Sequence, residues 1–169
     1  MSDYNVVEYY HYCPEGVQRV LASGSSAFIG EVDESTILKY PLEPGGDMAR
    51  LKHEHKILIL VGQHPRIIAQ KGFTDAGLYP ERAVNETVYK YLTESDYTPT
   101  LEQRVAWCRE VAEAADYIHS KSVIHCDIQP TDIQVDENLH LKLADFQGLT
   151  ATRRRCRSYK QPSHLLRLS

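Results

Sequence analysis

Two short polar runs, each containing an aspartate, constrain the fold of this chain more than any other feature. Residues 125–132 read His-Cys-Asp-Ile-Gln-Pro-Thr-Asp, and residues 143–148 read Leu-Ala-Asp-Phe-Gln-Gly. Between the two runs, apolar residues on both sides of a turn at residues 136–138 predict a small β-hairpin. The order of these segments, with the hairpin between Asp127 and Asp145, is more specific than either run alone.

The remaining pattern predicts an α+β fold, with strands first, then helices, then the small hairpin. Residues 17–40 read as strands joined by turns, and a short helix is expected near residues 88–92. Asp47 is a suitable N-cap for a helix that ends at about Val61, where Gly62 follows.

A longer helix is expected from an N-cap at Thr100 to about Ser120. Gln103 lies three residues after Thr100, which is the spacing of a capping box. The apolar stripe predicted for this helix consists of Leu101, Val105, Cys108, Val111, Ala112, Ala115 and Ile118.

Two features in the first third of the chain suggest phosphate binding. The segment from Ala22 to Ile29 is rich in small residues, so its backbone could lie close over phosphate groups, although ordinary turns share this composition. Lys39 ends a predicted strand, and Glu54 falls on the inward face of the first helix. Because a buried carboxylate needs a cationic partner, we expect Lys39 to pair with Glu54, as a structural ion pair or as part of a phosphate site.

In this order, the four segments resemble the protein kinase superfamily of eukaryotic type. Residues 125–132 are similar to the catalytic loop H-R-D-L-x-P-x-N, and residues 145–148 are similar to the D-F-G motif. Residues 122–128 also resemble divergent fungal serine/threonine kinase-like proteins. The resemblance implies a protein-kinase-like fold, in which an N-terminal antiparallel sheet lobe with one helix precedes a partial helical C-terminal lobe.

The implied organisation has an N-terminal extension at residues 1–16, an ATP-binding lobe at 17–80, and the start of the C-terminal lobe at 81–148. Residues 149–169 form a basic tail, which holds six of the 19 lysines and arginines and no acidic residue, leaving 13 basic against 23 acidic residues elsewhere. We expect this tail to be disordered and solvated, or to meet an acidic surface.

The resemblance also implies ATP and Mg²⁺ as cofactors and gives each matched residue a role. Asp127 would receive the proton of the attacking hydroxyl, and Lys39, held by Glu54, would contact the phosphates. Asp132 and Asp145 would bind magnesium. The other expected nucleotide contacts are Ala22, Gly24, Ser25, Ala27 and Ile29 in the small-residue segment, and the backbone of Glu81 and Ala83 between the lobes.

Several positions depart from the kinase pattern. Cys126 replaces an arginine, Gln129 replaces a lysine near the transferred phosphate, and Asp132 replaces an asparagine. Gln147 stands where a glycine normally follows the phenylalanine. No A-P-E motif or later helix follows residue 148, so we expect a truncated domain with a poorly covered long helix, at Val111, Ala115 and Ile118 among others.

Two functional readings follow from this resemblance. In the first, the chain binds ATP and transfers its γ-phosphate to a serine, threonine or tyrosine hydroxyl of a protein. In the alternative, it is a pseudokinase or a truncated kinase fragment that acts as a nucleotide-binding or docking module. The protein substrate or docking partner is not identified by the sequence.

Other classes of protein are disfavoured by composition. No apolar run reaches the roughly 20 residues of a membrane span, and no secretory signal is recognised. The four cysteines are scattered, which favours free thiols over a zinc site. We therefore expect a protein of the cytoplasm, with the nucleus as an alternative, and no nucleic-acid partner.

Overall fold

The computed structural model describes residues 12–146, and its N-terminal half is built around a five-stranded antiparallel sheet. The strands run in the spatial order β1-β2-β3-β5-β4, and one helix, α1, lies between β3 and β4 in the chain. The bounds are β1 (Arg19–Ser23), β2 (Ala27–Asp33), β3 (Thr36–Pro41), α1 (Ala49–Val61), β4 (Gln70–Thr74) and β5 (Gly77–Pro80). The strands predicted over residues 17–40 are therefore confirmed.

The C-terminal half contains two helices and the predicted hairpin. Its elements are α2 (Val88–Glu94), α3 (Leu101–Ser120), β6 (Ile133–Val135) and β7 (Leu141–Leu143). The two short strands pair antiparallel, with Ile133 opposite Leu143. The expected α+β class, with a sheet lobe followed by a partial helical lobe, is confirmed.

Strand β7 also joins the two halves through backbone hydrogen bonds. The Ile68 amide donates to the Leu143 carbonyl over 2.9 Å, and the Leu143 amide donates to the Arg66 carbonyl over 2.9 Å. One apolar core extends across this junction, and includes Leu58 and Val61 of α1. Because α1 and the hairpin share a core in this structure, their packing sets the relative positions of the residues that they carry.

Helix α1 begins one residue later than the sequence suggests. Its N-cap is Met48 rather than Asp47, but the Asp47 carboxylate still accepts a hydrogen bond of 2.7 Å from the Ala49 amide. A negative charge here stabilises the positive end of the helix dipole. Gly62 ends the helix with a φ of 75°, a conformation that costs glycine little.

The N-terminus of α3 matches the prediction only in part. The Thr100 hydroxyl accepts a hydrogen bond of 3.2 Å from the Gln103 amide, so Thr100 is the N-cap. The Gln103 side chain does not complete the capping box. It donates instead to the Leu139 carbonyl over 3.3 Å, in the turn of the β6–β7 hairpin.

The face that α3 buries differs from the predicted stripe. Leu101 and Val105 are 77% and 60% exposed. The buried positions of the helix are Trp107, Glu110, Ala114 and Ile118. The prediction was wrong because the hairpin fixes the rotation of α3, through a 2.7 Å hydrogen bond from the Trp107 indole to the Leu139 carbonyl.

The expected poor coverage of α3 is therefore found on a different face. Ile118 has no exposed area, so the expectation was wrong for this residue, and Val111 and Ala115 are half-buried. Among the described residues, no helix is long and apolar enough to cross a membrane. Residues 1–11 and the predicted basic tail at 149–169 lie outside the described part of the chain.

Candidate active site

Lys39 of β3 lies at the centre of a buried ionic cluster between the two halves. Its ammonium nitrogen Nζ is 2.8 Å from Oε2 of Glu54 on α1, and 2.5 Å from Oδ1 of Asp145, which follows β7. The second Glu54 oxygen, Oε1, accepts a hydrogen bond of 3.2 Å from the Phe146 amide. The cationic partner expected for Glu54 is thus present, and Asp145 adds a second carboxylate.

The electrostatics of this cluster keep Lys39 charged. Burial by itself would lower the pKa of the ammonium group, but the carboxylates of Glu54 and Asp145 outweigh burial and raise that pKa above its usual value. The Glu54 side chain is only 3% exposed, whereas that of Asp145 is 46% exposed. Lys39 therefore carries a fixed positive charge, and its partner Asp145 is half exposed to solvent.

The segment that carries Asp145 is held in place by an aromatic contact of the next residue, Phe146. The Phe146 ring is buried and lies edge-on to the imidazole of His125, with ring centroids 5.2 Å apart. The His125 Nε2 atom is 2.8 Å from the Ala144 carbonyl oxygen, so this nitrogen donates. Asp145 has a φ of 60°, in the left-handed region, which turns the chain between these two anchors.

Asp127 is exposed in the loop between α3 and β6. The amide nitrogen of the Gln129 side chain donates to its Oδ2 over 3.2 Å. Cys126 has a φ of 69° and an exposed thiol. The loop is supported from α2, where the Tyr89 amide donates to the Pro130 carbonyl over 3.1 Å. The Asp127 carboxylate is therefore exposed to solvent, on a loop that a hydrogen bond from α2 supports.

Asp132 is buried directly behind this loop. Burial raises the pKa of its carboxyl group, and the nearby charge of Asp145 raises it further. Its backbone carbonyl accepts a hydrogen bond of 2.8 Å from the Ala144 amide, which joins the two aspartate segments. The structure therefore brings Asp132 close to Asp145, as the sequence suggested.

Asp132 and Asp145 supply carboxylate oxygens, which are the type of donor that magnesium prefers. Magnesium in kinase-type sites is held by one or two carboxylates together with substrate phosphates, rather than by a complete protein cage. Within residues 12–146, no group of three or more His, Cys, Asp or Glu side chains is arranged to hold a metal ion. A cation between two mutually repelling carboxylates would relieve the repulsion that raises the Asp132 pKa.

The small-residue segment forms the tight end of the β1–β2 hairpin. The Gly24 amide donates to the Ala27 carbonyl over 2.9 Å, and Ile29 pairs with Lys39 across β2 and β3. Gly24 and Ser25 are exposed, Ala22 and Ile29 are half-buried, and Ala27 is buried. The hairpin thus lies one strand away from the Lys39 ammonium group.

The side chain of Glu81 holds the segment between the two halves in place, a role that the sequence did not predict. The carboxylate of Glu81 accepts hydrogen bonds from the Ala69 amide over 2.8 Å and from the Lys142 ammonium over 2.7 Å. The Glu81 amide donates to the Ala69 carbonyl over 2.8 Å, and the Ala83 carbonyl accepts from Glu86. Within residues 12–146, neither the Glu81 carbonyl nor the Ala83 amide takes part in a backbone hydrogen bond outside the helices and strands.

A second buried carboxylate, Glu110 of α3, was also missed. Oε1 of Glu110 is 3.0 Å from the Arg66 guanidinium and 2.7 Å from Nδ1 of His140, and Oε2 accepts a hydrogen bond of 2.8 Å from the Leu141 amide. Glu110 shares a helical face with Trp107, which is the one signal in the sequence that could have indicated its burial.

Comparison with known proteins agrees with this architecture. Residues 37–167 match the family model for protein tyrosine and serine/threonine kinase. CBL-interacting protein kinase 28 of Oryza sativa subsp. japonica is 31% identical over 137 residues, which are 79% of this chain and 29% of the relative. Serine/threonine-protein kinase KDX1 of Saccharomyces cerevisiae is 29% identical over 148 residues, which are 81% of this chain and 34% of the relative.

The chain spans about a third of the length of the curated relatives it matches. The family match covers more than half of the chain and includes β3, α1, the Asp127 loop and the segment beyond Phe146. The sheet, the ionic cluster and the motif order lie in the arrangement that the resemblance implied. The chain therefore belongs to the protein tyrosine and serine/threonine kinase family.

Proposed function

We propose that this chain binds Mg-ATP between its two halves and transfers the γ-phosphate to a protein hydroxyl. The observation that carries the proposal is the cluster in which the Lys39 ammonium contacts both Glu54 and Asp145. A lysine that only stabilised the fold would need one buried partner, whereas here there is a second carboxylate, and it is half exposed to solvent. An arrangement of this kind positions a cation for phosphate and a carboxylate for a metal ion.

The proposed nucleotide site uses the backbone as well as the side chains. The adenine ring would meet the Glu81 carbonyl and the Ala83 amide, because a purine edge presents one donor beside one acceptor. The β1–β2 hairpin, with Ala22, Gly24, Ser25, Ala27 and Ile29, would cover the phosphates. Asp132 and Asp145 would hold Mg²⁺, which supplies charge neutralisation at the phosphates when bound.

The proposed general base is Asp127. Its carboxylate is exposed to an incoming hydroxyl, and Gln129 orients it by donating to Oδ2 over 3.2 Å. The base must receive the proton of the attacking hydroxyl, and a fixed orientation lowers the entropy cost of that step. The proposed substrate is a serine, threonine or tyrosine hydroxyl of a protein. Because the free thiols of Cys13, Cys108 and Cys126 are stable in a reducing compartment, the proposed location is the cytoplasm or the nucleus.

Ligand binding is tested by thermal unfolding of the full chain with and without Mg-ATP. A ligand that binds only the folded state stabilises it by about 2.7 kcal/mol at a hundredfold excess over its dissociation constant. We expect a magnesium-dependent rise in the midpoint that is lost in Lys39→Ala and retained in Lys71→Ala. Lys71 is a suitable control because its ammonium contacts Ser35 in a turn outside the cleft.

Catalysis is tested separately with Asp127→Ala and a radiolabelled phosphotransfer assay on a mixed protein substrate. We expect transfer to be abolished in this variant, while the Mg-ATP-induced rise in the midpoint remains. If transfer continues undiminished, Asp127 is not the base. If the wild-type chain binds Mg-ATP and never transfers phosphate, the chain is a nucleotide-binding docking module instead.

A further inference from the structure

A pair of opposite charges joins strand β2 to the segment between the two halves. Nη1 of Arg82 is 2.6 Å from Oε1 of Glu31, and the two side chains are only 18% and 13% exposed. The Arg82 amide also donates to the Ser35 carbonyl over 2.8 Å, in the β2–β3 turn. Arg82 therefore holds the segment between the halves to two points of the β2–β3 hairpin.

The Glu31 carboxylate has a second cationic partner on the other side. Its Oε2 atom pairs with the guanidinium of Arg19 on β1, a side chain that is 66% exposed. The hydrogen bond from Arg19 lowers the pKa of the Glu31 carboxyl, and the charge of Arg82 lowers this pKa as well. Glu31 is therefore ionised at neutral pH, with one arginine in solvent and the other shielded from it.

Strand β2 carries Glu31 and two proposed phosphate contacts on one face. Ala27, Ile29 and Glu31 alternate along the strand, so their side chains project from the same side of the sheet. Ile29 lies opposite Lys39 in β3, so the lysine shares this face, whereas Phe28 packs into a core cluster on the other face. Because β2 is hydrogen-bonded to both β1 and β3, a shift of Glu31 also moves the proposed phosphate contacts.

Arg82 lies in the chain between the two backbone groups proposed to meet adenine, the Glu81 carbonyl and the Ala83 amide. We propose that Arg82 and Glu31 are positioning residues, whose ion pair fixes the distance between these adenine contacts and the hairpin that covers the phosphates. The pair acts through the backbone and does not touch the nucleotide. This inference rests on the nucleotide site of the proposed function.

The physical effect of such a pair is specific to a ligand that spans both parts of the site. When two part-sites are held at the correct separation, the contacts at the second cost little additional entropy once the first is filled. If the ion pair is broken, the hairpin can move relative to the adenine contacts, and that advantage is reduced. Adenosine, which fills only the first part-site, should not be affected.

The test is isothermal titration calorimetry of the full chain with Mg-ATP and, separately, with adenosine. In Arg82→Gln we expect the Kd for Mg-ATP to rise about tenfold. The Kd for adenosine should stay within about twofold of the wild-type value. Arg19→Gln is the matched control, because it removes the other arginine from the same carboxylate and should leave both Kd values unchanged.

Further variants separate positioning from a purely structural role. Glu31→Gln should weaken Mg-ATP binding as Arg82→Gln does, and the double variant should have no larger effect because both changes break one contact. Arg82→Lys keeps the charge and should recover part of the affinity. Urea unfolding of each variant measures stability separately, since a pair that only stabilised the fold would lower the midpoint without changing the ratio of the two Kd values.

The outcomes distinguish this inference from the proposed function. A wild-type chain that binds neither Mg-ATP nor adenosine would contradict both. If the wild type binds Mg-ATP, the inference alone is overturned by an unchanged Kd in Arg82→Gln or by an equal rise for both ligands. It is also overturned if adenosine does not bind the wild type, because the adenine contacts would then not be an independent part-site. If Arg82→Gln fails to fold by far-UV circular dichroism, Glu31→Gln is compared with Arg19→Gln by the same criteria.

Discussion

The carboxylate of Glu54 has two oxygen atoms and uses each of them for a different partner. One accepts from the Lys39 ammonium over 2.8 Å, and the other accepts from the Phe146 amide over 3.2 Å. Of these two contacts, only the one with Lys39 was predictable from the sequence. Helical spacing placed Glu54 on the inward face and the strand end placed Lys39 nearby, but the contact with Phe146 joins residues 92 positions apart and has no local signal.

Replacing Glu54 with alanine should destabilise the fold strongly. The change leaves the Lys39 charge with one half-exposed partner and removes the acceptor of a buried amide, so we expect a loss of about 3 kcal/mol. Glu54→Gln keeps an acceptor for the amide and should cost less. Urea unfolding at neutral pH measures both variants, and equal losses would show that the Phe146 contact contributes nothing.

Gln129 should limit the rate of the proposed reaction. Its neutral amide orients Asp127 but supplies no positive charge to the phosphoryl group in the transition state. A lost electrostatic donor of this kind typically costs about 2–4 kcal/mol. We expect Gln129→Lys to raise kcat about tenfold or more, with little change in the KM for ATP. Gln129→Glu, which reverses the charge, should lower kcat, and a faster glutamate variant would contradict this role.

Asp132 should make stability depend on pH in the absence of metal ions. Burial and the charge of Asp145 raise its pKa above the usual 3.8, so the charged form costs stability in the folded state. This cost is present above the raised pKa and disappears as the pH falls towards 3.8. In a chelator-containing buffer, Asp132→Asn should therefore raise the melting midpoint at pH 7, and this advantage should vanish at acid pH. An advantage independent of pH would point to a cause other than charge.

At the scale of elements, the rotation of α3 is set by the hairpin and not by its own apolar pattern. Two faces of the helix were available, one with Leu101 and Val105 and the other with Trp107 and Ile118. Periodicity alone cannot choose between them when both contain apolar residues. The choice follows from contacts more than 30 positions apart, such as the indole hydrogen bond to Leu139. This is why the helix ends were predictable and its buried face was not.

The Glu110 contacts make a clear prediction about how α3 is held to the hairpin. Glu110→Ala would leave the Arg66 guanidinium without its buried partner and the Leu141 amide without an acceptor, so we expect a loss of about 3 kcal/mol in stability. Glu113→Ala is the matched control, since this neighbour also contacts Arg66 but is 46% exposed and should change stability by about 0.5 kcal/mol or less. Chemical denaturation of both variants measures the difference, and similar losses would show that burial of Glu110 is unimportant.

At the scale of the whole molecule, the sheet half and the helical half share one core. Residues of α1, β5, α3 and the hairpin belong to the same buried cluster. The family pattern implied this arrangement from four motifs in order. The contact between Glu81 and Lys142, which joins the two halves, was not predicted from the sequence. These two charged residues are 61 positions apart, so only the completed fold brings them together.

A shared core predicts that the two halves unfold together. Trp107 is the single tryptophan and is buried in the helical half, so its fluorescence reports on that half alone. Far-UV circular dichroism reports on helices and strands of both halves. In urea titrations we expect the two probes to give the same midpoint. A midpoint for fluorescence that differs clearly from that of circular dichroism would mean that the halves are separate cooperative units.

The double use of the Glu54 carboxylate has a consequence for motion. If α1 swings away from the sheet, both oxygens leave their partners at once, so intermediate positions gain nothing from either contact. The helix should therefore exchange between two discrete positions instead of drifting through a continuum. Whenever it departs, the Phe146 amide becomes free to exchange its hydrogen with solvent. The deuterium uptake of one backbone group thus reports the position of a 13-residue helix.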